Sequence, residues 1–239
     1  MASTGVSSAY RDKKERPPAG AGRGQGCCYL SRGNMGSQYM KKITIMDSDP
    51  LINTSLRWLL KDNQITVAGC LHNFSALFLM LEDSHTHTII MDIFDNQHSI
   101  TECFALIRRQ WPVLKKHHII IFTDVDCCVF IKQLLAFEKV TVVSKKDNVD
   151  FLLSAVINGF REQHRISPGI QRILEHSDIP QLTPSELQVF FLLYDQKPPQ
   201  EISKILGINY KTVQYHKMNI AKKFGAENSI HLRKVRTSS

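Results

Sequence analysis

The sequence predicts two domains in series: a doubly wound α/β domain with a five-stranded parallel sheet, then a small all-α helix-turn-helix domain. Three observations predict this. From Met40 onward, short apolar runs alternate with helical patterns five times. The stretch Glu201 to Gly225, EISKILGINYKTVQYHKMNIAKKFG, holds two helical patterns joined at a glycine. Charge is also unevenly placed: residues 40–155 carry twelve basic and thirteen acidic side chains, net −1, whereas residues 156–239 carry twelve and seven, net +5. Only the second region has the charge balance of a nucleic-acid binder.

The 239 residues suffice for two domains of ordinary size. No apolar run approaches the roughly 20 residues of a membrane helix. The N-terminus is basic and Gly/Pro-rich without an apolar core segment, so no signal peptide is read and a cytoplasmic location is expected. Residues 1–39 carry six basic and two acidic side chains, net +4, and show no periodicity. They are expected to be a disordered extension ahead of Met40, where folded sequence begins. Gly20 to Gly26, GAGRGQG, has no strand before it and no helix after it, which removes the dinucleotide reading. The six cysteines, Cys27, Cys28, Cys70, Cys103, Cys127 and Cys128, form no CxxC pair and read as free thiols. His85, His87, His117 and His118 lack zinc-site spacing and read as loop histidines; no cofactor is expected.

In order, strands are expected at 43–46, 66–70, 88–91, 119–122 and 140–143. Helices follow at 50–60, 74–81, 100–111 (ended by Pro112), 128–135 and 149–160. In such a sheet a site lies at the carboxyl ends of the strands. Asp47 and Asp49 follow the first strand, Asp92 ends the third, Thr123 the fourth, and Lys145 follows the fifth. Any one polar residue there commonly marks only the chain reaching water. Together they deliver acids, a hydroxyl and an ammonium to one rim, the set a carboxylate nucleophile needs to accept a phosphoryl group.

Residues 161–180 read as a linker with Pro168 and Pro180, holding a helical turn near 170–174. The second domain is expected over 181–239. Thr183, Pro184 and Glu186 form a capping box ahead of a helix to Tyr194, with Val189, Phe190 and Leu193 inward. Ile202, Ile205 and Leu206 make the face of the next helix, and Gly207 ends it. Asn209 caps a third helix from about 210 to 224. Val213, Ile220 and Phe224 lie on one side, and Lys211, Gln214, Tyr215, Met218 and Lys222 on the other. An outward face of Lys, Gln, Tyr and Met can touch both phosphates and base edges. A surface hairpin with solvated lysines is the plainer reading of such spacing.

The motifs LTPSE, EISKILGI and KTVQYHKMNIAKKFG resemble the LuxR/FixJ (NarL)-type DNA-binding domain over the last quarter of the chain. Residues 41–159 resemble the receiver domain of response regulators. Double-stranded DNA is then the expected partner, with Asn209, Lys211, Thr212, Gln214, Tyr215, Met218 and Lys222 as DNA-binding residues. Asp92 matches the phospho-acceptor, and Asp47, Asp49, Thr123 and Lys145 match remnants of the receiver site. Three departures mark the receiver as atypical. Ser48 stands at the second acid position, IFDNQ follows Asp92 in place of a Met-Pro-Gly turn, and no aromatic precedes Lys145 at the family's switch distance. At best a weak magnesium site is expected. Pro198 and Pro199 depart from the family too and are expected to shorten their helix start. Residues 229–235 leave room for only a short fourth helix. With SDPLINTSLRWLLKD, these departures resemble activators of the family that form heterodimers with a response regulator of the Rcs type, a homodimer being the alternative. The implied function is transcription regulation largely independent of phosphorylation. Alternatives are a protein that sequesters a response regulator, an ordinary phosphorylation-activated regulator, and an enzyme on the same sheet. With no P-loop, nucleophile elbow or metal triad in the sequence, the enzyme reading is set aside.

Overall fold

The computed structural model describes residues 42–83, 86–175 and 181–225. The expected extension (1–39) and short fourth helix (229–235) lie outside the described residues. The α/β part holds β1 (Lys42–Met46), α1 (Pro50–Asp62), β2 (Thr66–Leu71), α2 (Phe74–Asp83), β3 (Thr88–Met91), α3 (Ile100–Leu114), β4 (His118–Thr123), α4 (Cys128–Leu135), β5 (Val140–Ser144) and α5 (Val149–Asn158). The strands form one parallel sheet in the order β2-β1-β3-β4-β5. Reversal of strand order at β1/β3 opens a crevice at the carboxyl ends of those two strands.

Both faces of the sheet are covered, which is why the strands are apolar runs and do not alternate. Leu56 and Leu60 of α1 pack with Leu152, Ala155 and Val156 of α5 over Ile43, Ile45, Ile90, Ile120 and Val143. The other face carries α2, α3 and α4 through Phe74, Leu77, Phe104, Ile107 and Phe130. Helix starts are set locally. Ser99 and Glu102 form a capping box on α3. Most boundaries fall within two residues of expectation; the largest difference in the α/β part is that α3 continues through Pro112 to Leu114. A proline in the last turn removes a single intrahelical donor, and the Lys115 amide still closes on the Trp111 carbonyl at 2.9 Å.

The stretch read as linker is built into the fold. After a 3-10 turn at Glu162–His164, residues 165–167 run along the outer edge of β5, and α6 (Pro168–Glu175) follows with Ile170 buried. The Val142 amide donates to the Arg165 carbonyl (2.7 Å) and the Ser167 amide to the Val142 carbonyl (3.0 Å). Arg165 also donates to the carbonyls of Leu135, Phe137 and Val140.

The last three helices are α7 (Pro184–Tyr194), α8 (Pro199–Leu206) and α9 (Tyr210–Lys223). The capping box of Thr183 and Glu186 is present. Pro198 is the N-cap of α8 and Pro199 its first residue, so the prolines start the helix and do not shorten it: a first-turn residue needs no N–H. Gly207 takes φ +64, the left-handed conformation that closes the turn into α9. Of the expected apolar face of α8, Ile202 is buried but Ile205 is 52% exposed. The inward stripe of α7 is wider than read: Phe191 and Leu192 are buried beside Val189 and Phe190. The reason is tertiary. Phe191 stacks on Phe130 of the α/β part and packs tilted against Phe104, at ring-centroid distances of 5.0 and 5.2 Å. The Asp195 carboxylate accepts from the first amides of α3, Ile100 (3.0 Å) and Thr101 (3.2 Å). One core therefore runs from α3 and α4 into α7.

Candidate functional site

Two constellations carry chemistry. The first lies at the carboxyl ends of β1, β3, β4 and β5. Asp47 and Asp92 are buried there, and the Lys145 ammonium sits between them, 2.7 Å from Asp47 Oδ2 and 2.6 Å from Asp92 Oδ2. The Ile93 amide donates to Asp92 Oδ1 at 2.6 Å, and the buried Thr123 hydroxyl hydrogen-bonds the same carboxylate. The Lys145 amide donates to the Thr123 carbonyl at 2.8 Å, which fixes the lysine's starting point. Burial pushes the Asp92 carboxyl above its ordinary range, and the charge of Lys145 opposes that without reversing it. Burial would lower Lys145, but Asp92 and Asp47 outweigh it and hold the ammonium above its ordinary value.

Asp47, Asp92, Thr123 and Lys145 thus come together at one rim of the sheet. Asp49 does not. Its carboxylate accepts from the Leu51 amide at 2.8 Å as the N-cap of α1, while its own amide donates to Asp47 Oδ1 at 2.9 Å. Two carboxylates already bridged by an ammonium, with Ser48 in place of a third acid, do not fit a divalent ion that needs near-octahedral oxygen ligands. Asp95 was missed by the sequence reading. It is buried in the loop after β3 and accepts from the amides of Phe74, Gln97 and His98, with His98 Nδ1 at 2.9 Å. Burial pulls its carboxyl up, but these donors win and hold it below its ordinary range. The available signal was an Asp followed by donors two and three residues on, an Asx-turn pattern.

The second constellation is α9. Val213, Ile220 and Ala221 are buried, and Phe224 stacks on Phe190 at 5.6 Å. Lys223 reaches back to Glu186 Oε2 at 2.6 Å and to the Gln181 carbonyl at 2.8 Å, pinning α9 to the start of α7. The Lys223 bond, with the Thr183 amide, holds Glu186 below its ordinary range. The opposite face is open: Tyr215 is 58% and Met218 50% exposed, and Lys211, Thr212 and Lys222 are exposed as well. Asn209 caps the helix by accepting from the Lys211 amide at 2.9 Å. Gln214 is half-buried and donates to the Tyr210 hydroxyl at 2.7 Å, which sets its direction.

An α/β first half with helices on both faces of its sheet, followed by a helix-turn-helix second half, is the class this arrangement defines. Residues 180–235 match the family model described as bacterial regulatory proteins, luxR family. Among solved structures, the chain is similar to RcsB from Salmonella enterica serovar Typhimurium bound to promoter P1flhDC in the presence of phosphomimetic BeF3−. That match has 22% identity and a TM-score of 0.62 and covers 84% of this chain and 100% of that one. It is similar as well to an RcsB response regulator from Salmonella typhimurium, with 23% identity and a TM-score of 0.60, covering 83% and 97%. An RcsB–DNA complex matches at 24% identity with a TM-score of 0.55, covering 83% and 98%. These likenesses establish the shared architecture of receiver-like domain and LuxR-type helix-turn-helix. No curated protein matches the chain in sequence. Among the described residues, no helix is long and apolar enough to cross a membrane.

Proposed function

We propose that the protein is a transcription regulator that reads double-stranded DNA with α9 and acts largely without phosphorylation of Asp92. The observation that carries this reading is the division of α9. One face is spent on α7 and α8, while Lys211, Thr212, Tyr215, Met218 and Lys222 stay exposed. A helix that served only as scaffold has no use for such a face. Gln214, Tyr215 and Met218 take base edges, and Lys211, Thr212 and Lys222 take phosphates. RcsB, of the same architecture, has been solved as dimers on DNA, which supports the same use here.

The finer assignment is an activator that works as a heterodimer with a response regulator of the Rcs type. It rests on the opening SDPLINTSLRWLLKD and on Ser48, which resemble BglJ, the activator of the aryl-β-glucoside operon. The lysine bridge between Asp47 and Asp92 supports independence from phosphate, because the charges an incoming phosphoryl group would need are already matched. A second reading, an ordinary phospho-switch, is favoured by the co-location of Asp92, Thr123 and Lys145.

Genome-wide DNA occupancy separates the two. Asp92→Ala is expected to keep most sites, and removal of the partner regulator to abolish them. A purified protein that takes phosphate from a small-molecule donor, and only then binds DNA, overturns the proposal in favour of the switch.

A further inference from the structure

The two edges of the sheet are treated differently. The outer edge of β5 is closed: residues 165–167 pair with Val142, and Arg165 fastens that segment to three carbonyls. The outer edge of β2 has no further strand on it among the described residues. An open edge is a row of backbone donors and acceptors ready for another chain, and folds usually cover or blunt it. Here the blunting is partial. Val67 lies opposite Ile43 and Gly69 opposite Thr44, so Ala68 is a bulge that interrupts the edge once.

Beside that edge runs a groove of about 890 Å³, from His72 past the end of β2 to Gln64 ahead of its start. Its far wall is one stripe of α1, with Asn53, Arg57, Trp58 and Lys61 at helical spacing. Trp58 is 67% exposed, and the Lys61 ammonium lies 5.7 Å from the centre of its ring. Among the described residues, no acidic side chain lines the groove. Beyond Thr66, which already has a partner, Val67–Leu71 make about 17 Å of strand, the reach of a short extended peptide.

We propose that the β2 edge and the α1 groove together form a docking site for an extended acidic segment of a partner protein, which adds as a strand beside β2. Main-chain pairing gives the site its affinity. Alternate side chains of the segment enter the groove, acids meeting Arg57 and Lys61 and an apolar residue resting on Trp58. The bulge at Ala68 makes the edge a poor template for strands of arbitrary sequence, so the cations choose the occupant. This site is separate from the DNA-reading face and from the Asp92 pocket.

The test titrates the full-length protein with the capped hexapeptide Ac-Glu-Val-Glu-Val-Glu-Val-NH2, its lysine counterpart, and the acidic peptide methylated on alternate backbone nitrogens. Binding is followed by calorimetry and by amide hydrogen exchange of Thr66–Leu71. Only the unmethylated acidic peptide is expected to bind and to slow exchange on β2. Arg57→Ala with Lys61→Ala is expected to weaken it on the order of fivefold, as two largely exposed ion pairs would. Equal binding of the lysine peptide removes the charge argument. Retained binding of the methylated peptide, or binding that leaves β2 exchange unchanged, reduces the site to an adventitious anion contact. Absence of binding by the acidic peptide overturns the proposal.

Discussion

In the α/β domain Asp47, Asp92 and Lys145 satisfy one another beneath the surface, their side chains 4%, 7% and 17% exposed. On α9 the polar side chains Lys211, Thr212, Tyr215 and Lys222 stand in solvent. Both sets lie where a family resemblance places function, yet they differ physically. A buried charge triad has internal partners and can be opened only at the cost of an unmatched charge. An exposed face keeps its hydrogen-bonding and charge capacity for something outside the chain. The first set is therefore tied up within the fold, and the second keeps the capacity that the proposed DNA-reading role needs.

The contrast is broken most severely at Lys145. Lys145→Ala leaves two carboxylates buried without a cation and is expected to cost about 3–5 kcal/mol, read as a lower urea midpoint at neutral pH. Adding Asp92→Asn removes one of the stranded charges and is expected to recover part of that loss. The pH dependence has a definite sign. Asp92 is held above its ordinary 3.8, so folding favours its protonated form. The stability this contributes is full below that ordinary value and is lost as pH rises through the folded value. Without Lys145 the folded value moves higher still, so the Lys145→Ala deficit should shrink in acid. A deficit independent of pH would mean that the triad is not the cause.

Much of this was legible in the sequence because local signals and burial agreed. The five apolar runs had to be strands covered on both sides, and Thr183 with Glu186 fixed the start of α7 without any tertiary help. Asp47, Asp92, Thr123 and Lys145 converge because strand order sends their carboxyl ends to one crevice. What escaped the reading depends on packing. Phe191 looks like an exposed position of α7 until Phe104 and Phe130 are brought against it. Asp49 could be an acid of the cluster or a helix cap, and only the direction of its side chain decides. The stretch after Arg161 has the composition of a linker, yet the free edge of β5 recruits it as a bridge.

On α9, the helix proposed to read DNA, Gln214→Ala is expected to cost about 1–3 kcal/mol of DNA affinity and to relax preference at one base pair, measured by binding to a panel of single-base variants. The bond its side-chain amide donates to the Tyr210 hydroxyl sharpens the point. Tyr210→Phe keeps the ring but releases the amide, so it should blur the same position to a lesser degree. Equal weakening on every sequence would show that Gln214 touches only backbone. A step smaller again, Glu186→Ala removes the carboxylate that holds Lys223 and the Thr183 amide, at a cost of about 1.5 kcal/mol. Because Glu186 is held below its ordinary 4.5, the stability it supplies is present above that value and is lost as pH falls through the folded one. Amide protection factors on α7 and α9, which correct for the slower intrinsic exchange in acid, should fall as pH drops in the parent protein, and the variant should lack that step.

The smallest expected effect tests the comparison from its open side. Lys222 is exposed on the last turn of α9. Its removal should leave the unfolding free energy within about 0.5 kcal/mol of the parent, since exposed substitutions away from caps and cores change little. Lys145 and Lys222 are the same residue type, so the difference between their variants isolates the setting. On DNA, an ammonium that meets a phosphate releases a counterion. Lys222→Ala should therefore weaken all sequences alike and reduce the slope of log affinity against log salt by about 1. Preference among base pairs should not move, because phosphates carry no sequence information. If Lys222→Ala altered base preference, α9 would enter the groove deeper along its length than its exposed face suggests. If it left the salt slope unchanged, the last turn of α9 would stand clear of the duplex, and phosphate contact would fall to Lys211 and Thr212 at the helix start.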